Sequence, residues 1–157
     1  MKELFQLFHT LIKEDLLNDQ RRFEYINHLI YRLPGRFGIK LRGMIVPRFF
    51  KSCGENIKIH PGVRYRGVRK IVCGRNVRLG VDNFYNAGGG LTIGDNAILA
   101  PGVKIWTANH AYNSTQIPIC EQGMTYNAVS IGCDVWLGAN VFVLPGVILQ
   151  DGCIVAA

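Results

Sequence analysis

The residues of this chain best suited to moving a proton near neutral pH are its four histidines, His9, His28, His60 and His110. His110 stands apart because it ends the string Thr107-Ala108-Asn109-His110 and precedes a long polar segment. An imidazole there could act as a general base that takes a proton from an attacking hydroxyl. An exposed histidine can equally be an ordinary surface residue, so the surrounding elements must decide between the two interpretations.

An aliphatic residue recurs at every sixth position near the end of the chain. A six-residue period fits neither the 3.6-residue turn of an α-helix nor the alternation of a strand. It fits a coil whose flat sides are each six residues long, with a second inward residue four positions further on. The pattern therefore predicts a parallel β-helix of hexapeptide repeats. The first positions are Ile131, Leu137, Val143, Leu149 and Val155, and the second are Val135, Val141, Val147 and Cys153.

The same repeat continues upstream through LTIGDNAILAPGVKIW and, more weakly, from Cys53. Its phase slips by two residues at three places, where we expect insertions to leave the coil. The longest insertion, roughly residues 111–128, contains no hexad and is predicted to be a protruding loop. Counted from Ile105, His110 is the sixth residue of its hexad, an outward or corner position where it cannot fill the core.

Composition agrees with a single solenoid domain of 157 residues, because 18 are glycines suited to corners and only 18% are charged. The apolar runs are too short to span a bilayer, and the N-terminus lacks the pattern of a signal peptide. We therefore expect a cytoplasmic protein. Its five cysteines form no C-x-x-C pair, which predicts buried, reduced thiols that pack as small hydrophobic groups.

Charge is distributed unevenly along the chain. Residues 1–78 hold 17 of the 18 lysines and arginines and carry a net charge of +11, whereas residues 79–157 carry −4. The basic half favours an anionic partner. No helix-turn-helix, zinc-finger or RNP-like pattern is present, which argues against nucleic acid. The basic, aromatic segment GRFGIKLRGMIVPRFFKS instead suits contact with anionic phospholipid or a pyrophosphate-bearing lipid, which would place the protein peripherally at the inner face of the membrane.

Residues 2–32 are predicted to form one or two helices, because Phe23, Ile26, Ile30 and Leu33 recur at helical spacing and Pro34-Gly35 ends the pattern. A solenoid must cover its terminal coil, so these helices could cap the β-helix. Membrane contact is the alternative, and the two roles are compatible. We therefore expect a helical, basic segment over residues 1–50 and a β-helix over residues 51–157.

Two strings carry a resemblance to a known family. LTIGDNAILAPGVKIWTANHAY and VSIGCDVWLGANVFVLPGV resemble the left-handed β-helix acyltransferases of the hexapeptide-repeat superfamily. From about Leu33 onward the chain resembles acetyl-CoA-dependent O-acetyltransferases of bacterial surface polysaccharide clusters, with maltose, galactoside and streptogramin acetyltransferases as near relatives. The resemblance implies an all-β, left-handed parallel β-helix, a homotrimer, acetyl-CoA as the acyl donor, a saccharide acceptor and no required metal.

The resemblance also assigns residues to the site. His110, with Asn109 beside it, matches the family's catalytic histidine, which would take the proton as the acceptor hydroxyl attacks the thioester. The backbone amide of Ala139 matches the family's oxyanion donor. Coenzyme A would lie in a groove between neighbouring β-helices. The residues that match the family's cofactor track are Trp136, Gly138, Ala139, Ala156 and Ala157.

Other groups of the implied site are less determined. Asn83, Tyr85 and Asn86 lie in an insertion one coil before His110 and are predicted to bind the saccharide, although asparagine is also common in turns. Trp136 could serve trimer packing instead of the cofactor. A main-chain carbonyl or a carboxylate such as Glu121 could orient the imidazole.

The chain also departs from the family pattern. Family members continue past the position of Ala157 with a further partial coil that holds a Ser/Thr-Lys pair, and then a segment that contacts the nucleotide of coenzyme A. We therefore expect a β-helix that lacks the family's C-terminal coil. That difference leaves the strength of coenzyme A binding open.

The same residues also bear on alternative functions. The γ-class carbonic anhydrases share the left-handed β-helix but bind zinc with three histidines, and no His-x4-His pair is present here. A non-catalytic β-helix scaffold would fit the missing coil but would leave Asn109-His110 and the loop unexplained. An N-acetyltransferase or a xenobiotic acetyltransferase of the same fold is a further alternative.

Overall fold

Three α-helices precede a parallel β-helix of five turns, which confirms the predicted architecture. The structure, a computed structural model, describes residues 1–156, except for the side chains of residues 2–4, 7 and 8. None of the helices in that range has both the length and the apolar composition that a membrane span needs. The helical elements are α1 (Lys2–Leu17), α2 (Asp19–Ile30), α3 (Gly35–Ile45) and a 3-10 turn (Val46–Phe49).

Fourteen short strands form the three parallel sheets of the coil, named A, B and C in the order in which the chain visits them. Sheet A contains β1 (Ser52–Cys53), β4 (Ile71–Cys73), β7 (Leu91–Ile93), β12 (Val129–Ile131) and β15 (Ile148–Leu149). Sheet B contains β2 (Lys58–Ile59), β5 (Arg78–Leu79), β8 (Ile98–Leu99), β13 (Trp136–Leu137) and β16 (Ile154–Val155). Sheet C contains β3 (Arg64–Arg66), β6 (Phe84–Asn86), β9 (Lys104–Trp106) and β14 (Phe142–Val143).

The predicted inward positions do form the core. Parallel pairing places equivalent residues of successive turns directly above one another, and the inner column of sheet B is typical of all three sheets. Its first four members are fully buried, and the fifth is partly buried against the same cluster. Each such side chain contributes about 1.5–3 kcal/mol by leaving water. This column consists of Ile59, Leu79, Leu99, Leu137 and Val155.

All three insertions leave the coil at the same corner, between sheet C and sheet A. The first two are short and occupy residues 67–70 and 87–90. The third, residues 107–128, is the predicted protruding loop. It contains the antiparallel hairpin of β10 (Ala108–His110) and β11 (Met124–Tyr126).

Helix α3 lies inside the predicted helical segment of residues 1–50, but it was not predicted as a separate helix. Pro34-Gly35 was expected to end the preceding helix, and Pro34 is also the N-cap of a new one. Glycine lowers helix propensity, which hid this element, and packing against β2 outweighs the propensity. Gly43 allows that packing, because a Cβ there would lie only 2.4 Å from the carbonyl oxygen of Ile57.

The helices cover the first turn of the β-helix, as the cap interpretation expects. Phe23 of α2 packs against Tyr65 of β3, with ring centroids 5.6 Å apart. Arg42 of α3 is fully buried, and burial lowers its pKa. Its guanidinium donates hydrogen bonds to the carbonyl oxygens of Ile30 at 2.9 Å, Leu33 at 2.8 Å and Ile59 at 3.0 Å. One arginine therefore joins α2, α3 and the coil.

The cysteines only partly follow the prediction. All five are free thiols, Cys73 is buried, and Cys53 and Cys153 are half-buried. The prediction of burial is wrong for Cys120 and Cys133, which are exposed. Cys120 lies in the protruding loop and Cys133 lies in an outward turn between β12 and β13, so neither occupies an inward position of the repeat.

Candidate functional site

His110 is the last residue of β10, the first strand of the protruding hairpin, and it is exposed. The hairpin sets Asn109 opposite Thr125 and His110 opposite Met124. The Thr125 hydroxyl donates a hydrogen bond to the Asn109 carbonyl at 3.3 Å. The imidazole is therefore outward, as predicted, and strand pairing holds its backbone in place.

Thr107 anchors the hairpin to the coil, a role that the sequence analysis missed. Its buried hydroxyl donates to the carbonyl of Asn86 at 2.8 Å and accepts from the amide of Gly89 at 2.7 Å. Its carbonyl accepts from the amide of Asn127 at the other end of the hairpin, at 3.0 Å. One residue therefore joins both ends of the hairpin to the insertion of the preceding turn, three positions before His110.

Glycines form the surface on which the hairpin rests. A Cβ on Gly89 would lie 2.4 Å from the Thr107 carbonyl oxygen, and one on Gly88 would lie 3.2 Å from the ring of Tyr126. Lys70 completes this contact, donating to the Gly88 carbonyl at 2.7 Å and lying 6.0 Å from the Tyr126 ring centroid. The run of three glycines that begins two residues after β6 was the available sequence signal for this platform.

The protruding loop has its own internal support. The side chain of Gln122 accepts from the amide of Ser114 at 3.0 Å and donates to the carbonyls of Ser114 at 2.8 Å and Ile117 at 2.7 Å. Glu121 is exposed in a short 3-10 turn, and no hydrogen bond within residues 1–156 joins it to His110. The suggested role of Glu121 in orienting the imidazole therefore stays a prediction.

The residues predicted to bind the saccharide lie elsewhere than expected. Asn83 and Tyr85 are fully buried inside the second turn and not in an insertion, which begins only after Asn86. The Asn83 amide donates to the Tyr85 hydroxyl at 2.8 Å and accepts from the amide of Val103 at 2.9 Å. These groups already bond one another in the core, so the position assigned to them is corrected. A contact of Asn86 with an acceptor stays a prediction.

The residues predicted to contact coenzyme A gather at the corner between sheets B and C. Trp136 lies on the outer face of β13 and is 50% exposed. Gly138 donates from its amide to the carbonyl of Val155 at 2.8 Å, and Ala139 follows in the turn toward sheet C. Ala156 lies one turn further on and is exposed. Ala157 lies outside the described residues.

His110 and Ala139 belong to different corners of the triangular coil. The hairpin leaves between sheets C and A, whereas Ala139 lies between sheets B and C. The side that separates these corners is six residues long, roughly 20 Å of extended chain. The two groups of the expected site therefore lie at different edges of one chain. Across residues 1–156, no three His, Cys, Asp or Glu side chains come together as a metal site.

The chain is similar in sequence to known acetyltransferases. Residues 128–157 match a family model described as the hexapeptide repeat of succinyl-transferase. Over 161 aligned residues the chain is 32% identical to an Escherichia coli protein named as a lipopolysaccharide-biosynthesis O-acetyltransferase, and the match covers 82% of each protein. The chain belongs to the hexapeptide-repeat acetyltransferase family. It spans 58 to 62% of the length of three other curated members that it matches.

Solved structures of the family share the fold. A maltose O-acetyltransferase from Clostridium difficile superposes with a TM-score of 0.79 at 26% identity, covering 90% of this chain and 74% of that one. A galactoside acetyltransferase in complex with coenzyme A gives a TM-score of 0.77 at 24% identity, covering 92% and 70%. At 24% identity, the likeness to the galactoside acetyltransferase shows a shared fold only.

Proposed function

We propose that the protein transfers the acetyl group of acetyl-CoA directly to a hydroxyl of a bacterial surface polysaccharide or its precursor, with His110 as the general base. The observation that carries the proposal is an exposed imidazole on a strand that Thr107 ties to a rigid coil. Family membership supplies the class of reaction. The named saccharide O-acetyltransferases among the relatives favour a sugar hydroxyl as the acceptor.

The chemistry needs one base and one oxyanion donor. His110 removes the hydroxyl proton as the acceptor oxygen attacks the thioester carbonyl, and it returns that proton to the thiolate when the carbon–sulfur bond breaks. A positioned base contributes roughly 10²–10⁴-fold. A backbone amide that meets the developing oxyanion contributes about 10²–10³-fold. The transfer is direct, so no acyl-enzyme forms.

The amide of Ala139 is suited to that second role. Within residues 1–156, no hydrogen bond occupies its N–H group. Gly138 beside it and Ala156 in the next turn leave the corner uncovered by large side chains, which suits a narrow pantetheine arm. Trp136, three positions before Ala139, presents an apolar, half-exposed surface.

A second copy of the chain completes the site in this proposal. His110 and Ala139 lie at different edges of one β-helix, so an acetyl group can meet both only where the hairpin of one copy reaches the sheet B–C corner of another. The turns near the helices are called here the lower turns, and those near the C-terminus the upper turns. Exposed apolar side chains on the upper turns suit such a contact, including Phe142 at 49% and Ile154 at 69% exposure. Closed rotational symmetry then gives equivalent sites, and we propose a homotrimer.

The test is acetyl-CoA binding by calorimetry together with thiol release in the presence of saccharides. Wild type, His110→Ala and the matched control His9→Ala, which changes an exposed histidine on α1, are compared. We expect all three to bind acetyl-CoA and only His110→Ala to lose thiol release, by at least a hundredfold. Equal thiol release by His110→Ala and wild type would refute the general base.

The alternatives differ in the same assay. A non-catalytic scaffold binds no acetyl-CoA and releases no thiol with any acceptor. An N-acetyltransferase releases thiol with amino sugars but not with the corresponding hydroxyl sugars. The exposed imidazole favours catalysis over the scaffold, because a scaffold gives no reason for a hairpin anchored three residues before it.

A further inference from the structure

A groove lined by basic residues lies between α3 and the lower end of sheet B, with a volume of about 720 Å³. Four permanent cations, called here the groove cations, line it together with His60. Two come from α3 and two from the outer face of sheet B. No acidic side chain of the described chain lines this groove. The groove cations are Arg36, Lys40, Lys58 and Arg78.

The groove is built by one face of α3. Arg36, Ile39, Lys40, Gly43 and Met44 follow the i, i+3, i+4, i+7, i+8 spacing of a helix face and all line it. The close approach at Gly43 holds this face against β2. Ile39 and Met44, with Ile57 below, provide an apolar floor under the charged rim.

The charges of this groove are not neutralised by the protein. None of the groove cations forms an ion pair within the residues that the structure describes, whereas Arg75, outside the groove, is paired with Asp95 at 2.9 Å. Burial lowers the pKa of His60, and the positive charges of Arg42, Lys58 and Arg78 lower it further. The groove is therefore a region of positive potential, and this potential disfavours protonation of the His60 imidazole.

Arg36 adds to that potential at a cost in helix stability. It lies in the first turn of α3, where the helix dipole is positive and no acidic residue is present. A cation at this end of a helix is unfavourable unless an anion compensates it. A bound anion would meet both the side chains and the positive end of the helix.

The groove cations share a face with the proposed cofactor track. On the outer side of sheet B, Lys58, Arg78, Ile98 and Trp136 follow one another in register. Parallel strands are about 4.8 Å apart, so Arg78 lies two strands, about 10 Å, from Trp136. This separation suits an acceptor whose sugar reaches toward the acetyl group while its anionic group stays on Arg78.

A row of amides flanks the same groove. Asn56, Asn76 and Asn96 stack at the corner between sheets A and B, with amide-to-oxygen distances of 2.9 and 3.0 Å. A second cavity of about 360 Å³ runs along this row, shares Asn56, Lys58 and Arg78 with the first, and ends at Asp134. The end nearest α3 is therefore the part without an acidic lining residue, and it has amide groups beside it.

We propose that this groove binds the phosphate or pyrophosphate group of the acceptor, so that the substrate is a phosphorylated saccharide and not a neutral sugar. The role of the groove in holding an acceptor rests on the proposed acetyl transfer. Anion binding by the groove does not depend on that transfer. The chemistry is the same whether the pyrophosphate is attached to a nucleotide or to a lipid. The apolar floor of Ile39, Met44 and Ile57 accommodates the adjoining base or lipid.

The test is calorimetric titration with inorganic pyrophosphate and with uridine diphosphate glucose. The double variant Lys58→Gln/Arg78→Gln is compared with Lys13→Gln/Lys51→Gln, which removes the same charge from exposed positions outside the groove. We expect the groove variant to bind both probes at least tenfold more weakly and the control to bind them as wild type does. Equal binding by the two double variants, or no binding of pyrophosphate by folded wild type, would overturn the proposal.

Two further arms separate the sources and the hypotheses. Tighter binding of uridine diphosphate glucose than of pyrophosphate supports a nucleotide-linked acceptor, whereas flotation with phosphatidylglycerol vesicles that the groove variant loses supports a lipid-linked one. His110→Ala is expected to bind pyrophosphate normally. Normal binding without thiol release in wild type would reject the acetyl transfer alone, and the single variant Arg78→Gln repeats the test should the double variant be unstable.

Discussion

The lower and upper turns of the β-helix share an interior and differ outside. On sheet B the inner column is aliphatic throughout, whereas the outer column changes from Lys58 and Arg78 to Ile98, Trp136 and Ile154. The hexapeptide repeat therefore constrains the inward residues of each turn and leaves the outward residues unconstrained. The outer residues are free to serve binding, and the two ends of one face suit two different ligands.

Sheet C also differs between a cationic lower end and an apolar upper end, and aromatic residues lie at both. Arg64 lies at its lower end, 5.0 Å from the ring centroid of Phe84, and Phe142 is exposed at its upper end against Trp106. The lower turns also carry the helical cap, and the upper turns present exposed apolar side chains on their outer faces. We therefore expect the lower end to meet anions and the upper end to meet a second copy and the pantetheine arm.

The junction of cap and coil should respond most strongly to mutation. Arg42→Leu removes three hydrogen bonds and leaves the carbonyls of Ile30, Leu33 and Ile59 buried without donors, so we expect a loss of about 4 kcal/mol in the free energy of unfolding. Urea denaturation measures it. Arg48→Leu, at an exposed position nearby, is the control. Equal stabilities of the two variants would contradict the role of Arg42 in joining the helices to the coil.

The shared interior predicts equal costs in the two halves. Leu79→Ala in the lower half and Leu137→Ala in the upper half each open a cavity in the same column, and each should cost about 3 kcal/mol. Thermal and urea unfolding measure both. A cost confined to the lower half would show that the upper turns are not part of one cooperative core.

A polar position elsewhere in the interior, Asn83 at the corner between sheets B and C, should cost less. Asn83→Val restores the aliphatic type of Val63 and Val103 but leaves the Tyr85 hydroxyl and the Val103 amide unpaired, and we expect a loss of about 2 kcal/mol. The effect of Tyr85→Phe, compared between the wild-type and Asn83→Val backgrounds, measures the coupling between the two side chains. A more stable Asn83→Val protein would mean that this bond network does not support the fold.

The outer face should affect binding more than stability. Trp136→Gln is expected to weaken acetyl-CoA binding about tenfold, or about 1.4 kcal/mol, with little change in unfolding. Lys58→Gln, on the same face at the basic end, should leave that affinity unchanged. Unchanged affinity with dissociation of the oligomer in sedimentation would assign Trp136 to subunit packing instead.

The sequence predicted the repeat well because burial imposes it on every turn. It misplaced Asn83 and Tyr85 because the phase slip between Leu79 and Ile93 was assigned to the wrong residues. Six positions after Leu79 is Tyr85, which keeps the inward phase of the repeat on sheet C, and the slip falls after Asn86. Helix α3 was missed because its glycines obscure the helical pattern, and only contact with β2 reveals their purpose.

The site was predictable only in part. His110 stood out by type and position, but Thr107, Gly88 and Gly89 act through contacts between turns that a linear pattern does not display. The separation of His110 and Ala139 at two corners also required the topology. Their joint action in one site is therefore the central claim, and it can be tested without knowing the acceptor's identity in full.

The decisive measurement mixes two inactive variants. His110→Ala lacks the base, and Ala139→Pro lacks the amide N–H; each is checked for folding by circular dichroism and for inactivity alone. When the two are co-expressed in equal amounts, a site formed between copies is intact whenever a copy that keeps His110 meets one that keeps Ala139. Random assembly then gives about a quarter of wild-type thiol release. If oligomers proven to contain both variants recover no activity, a site shared between copies is contradicted.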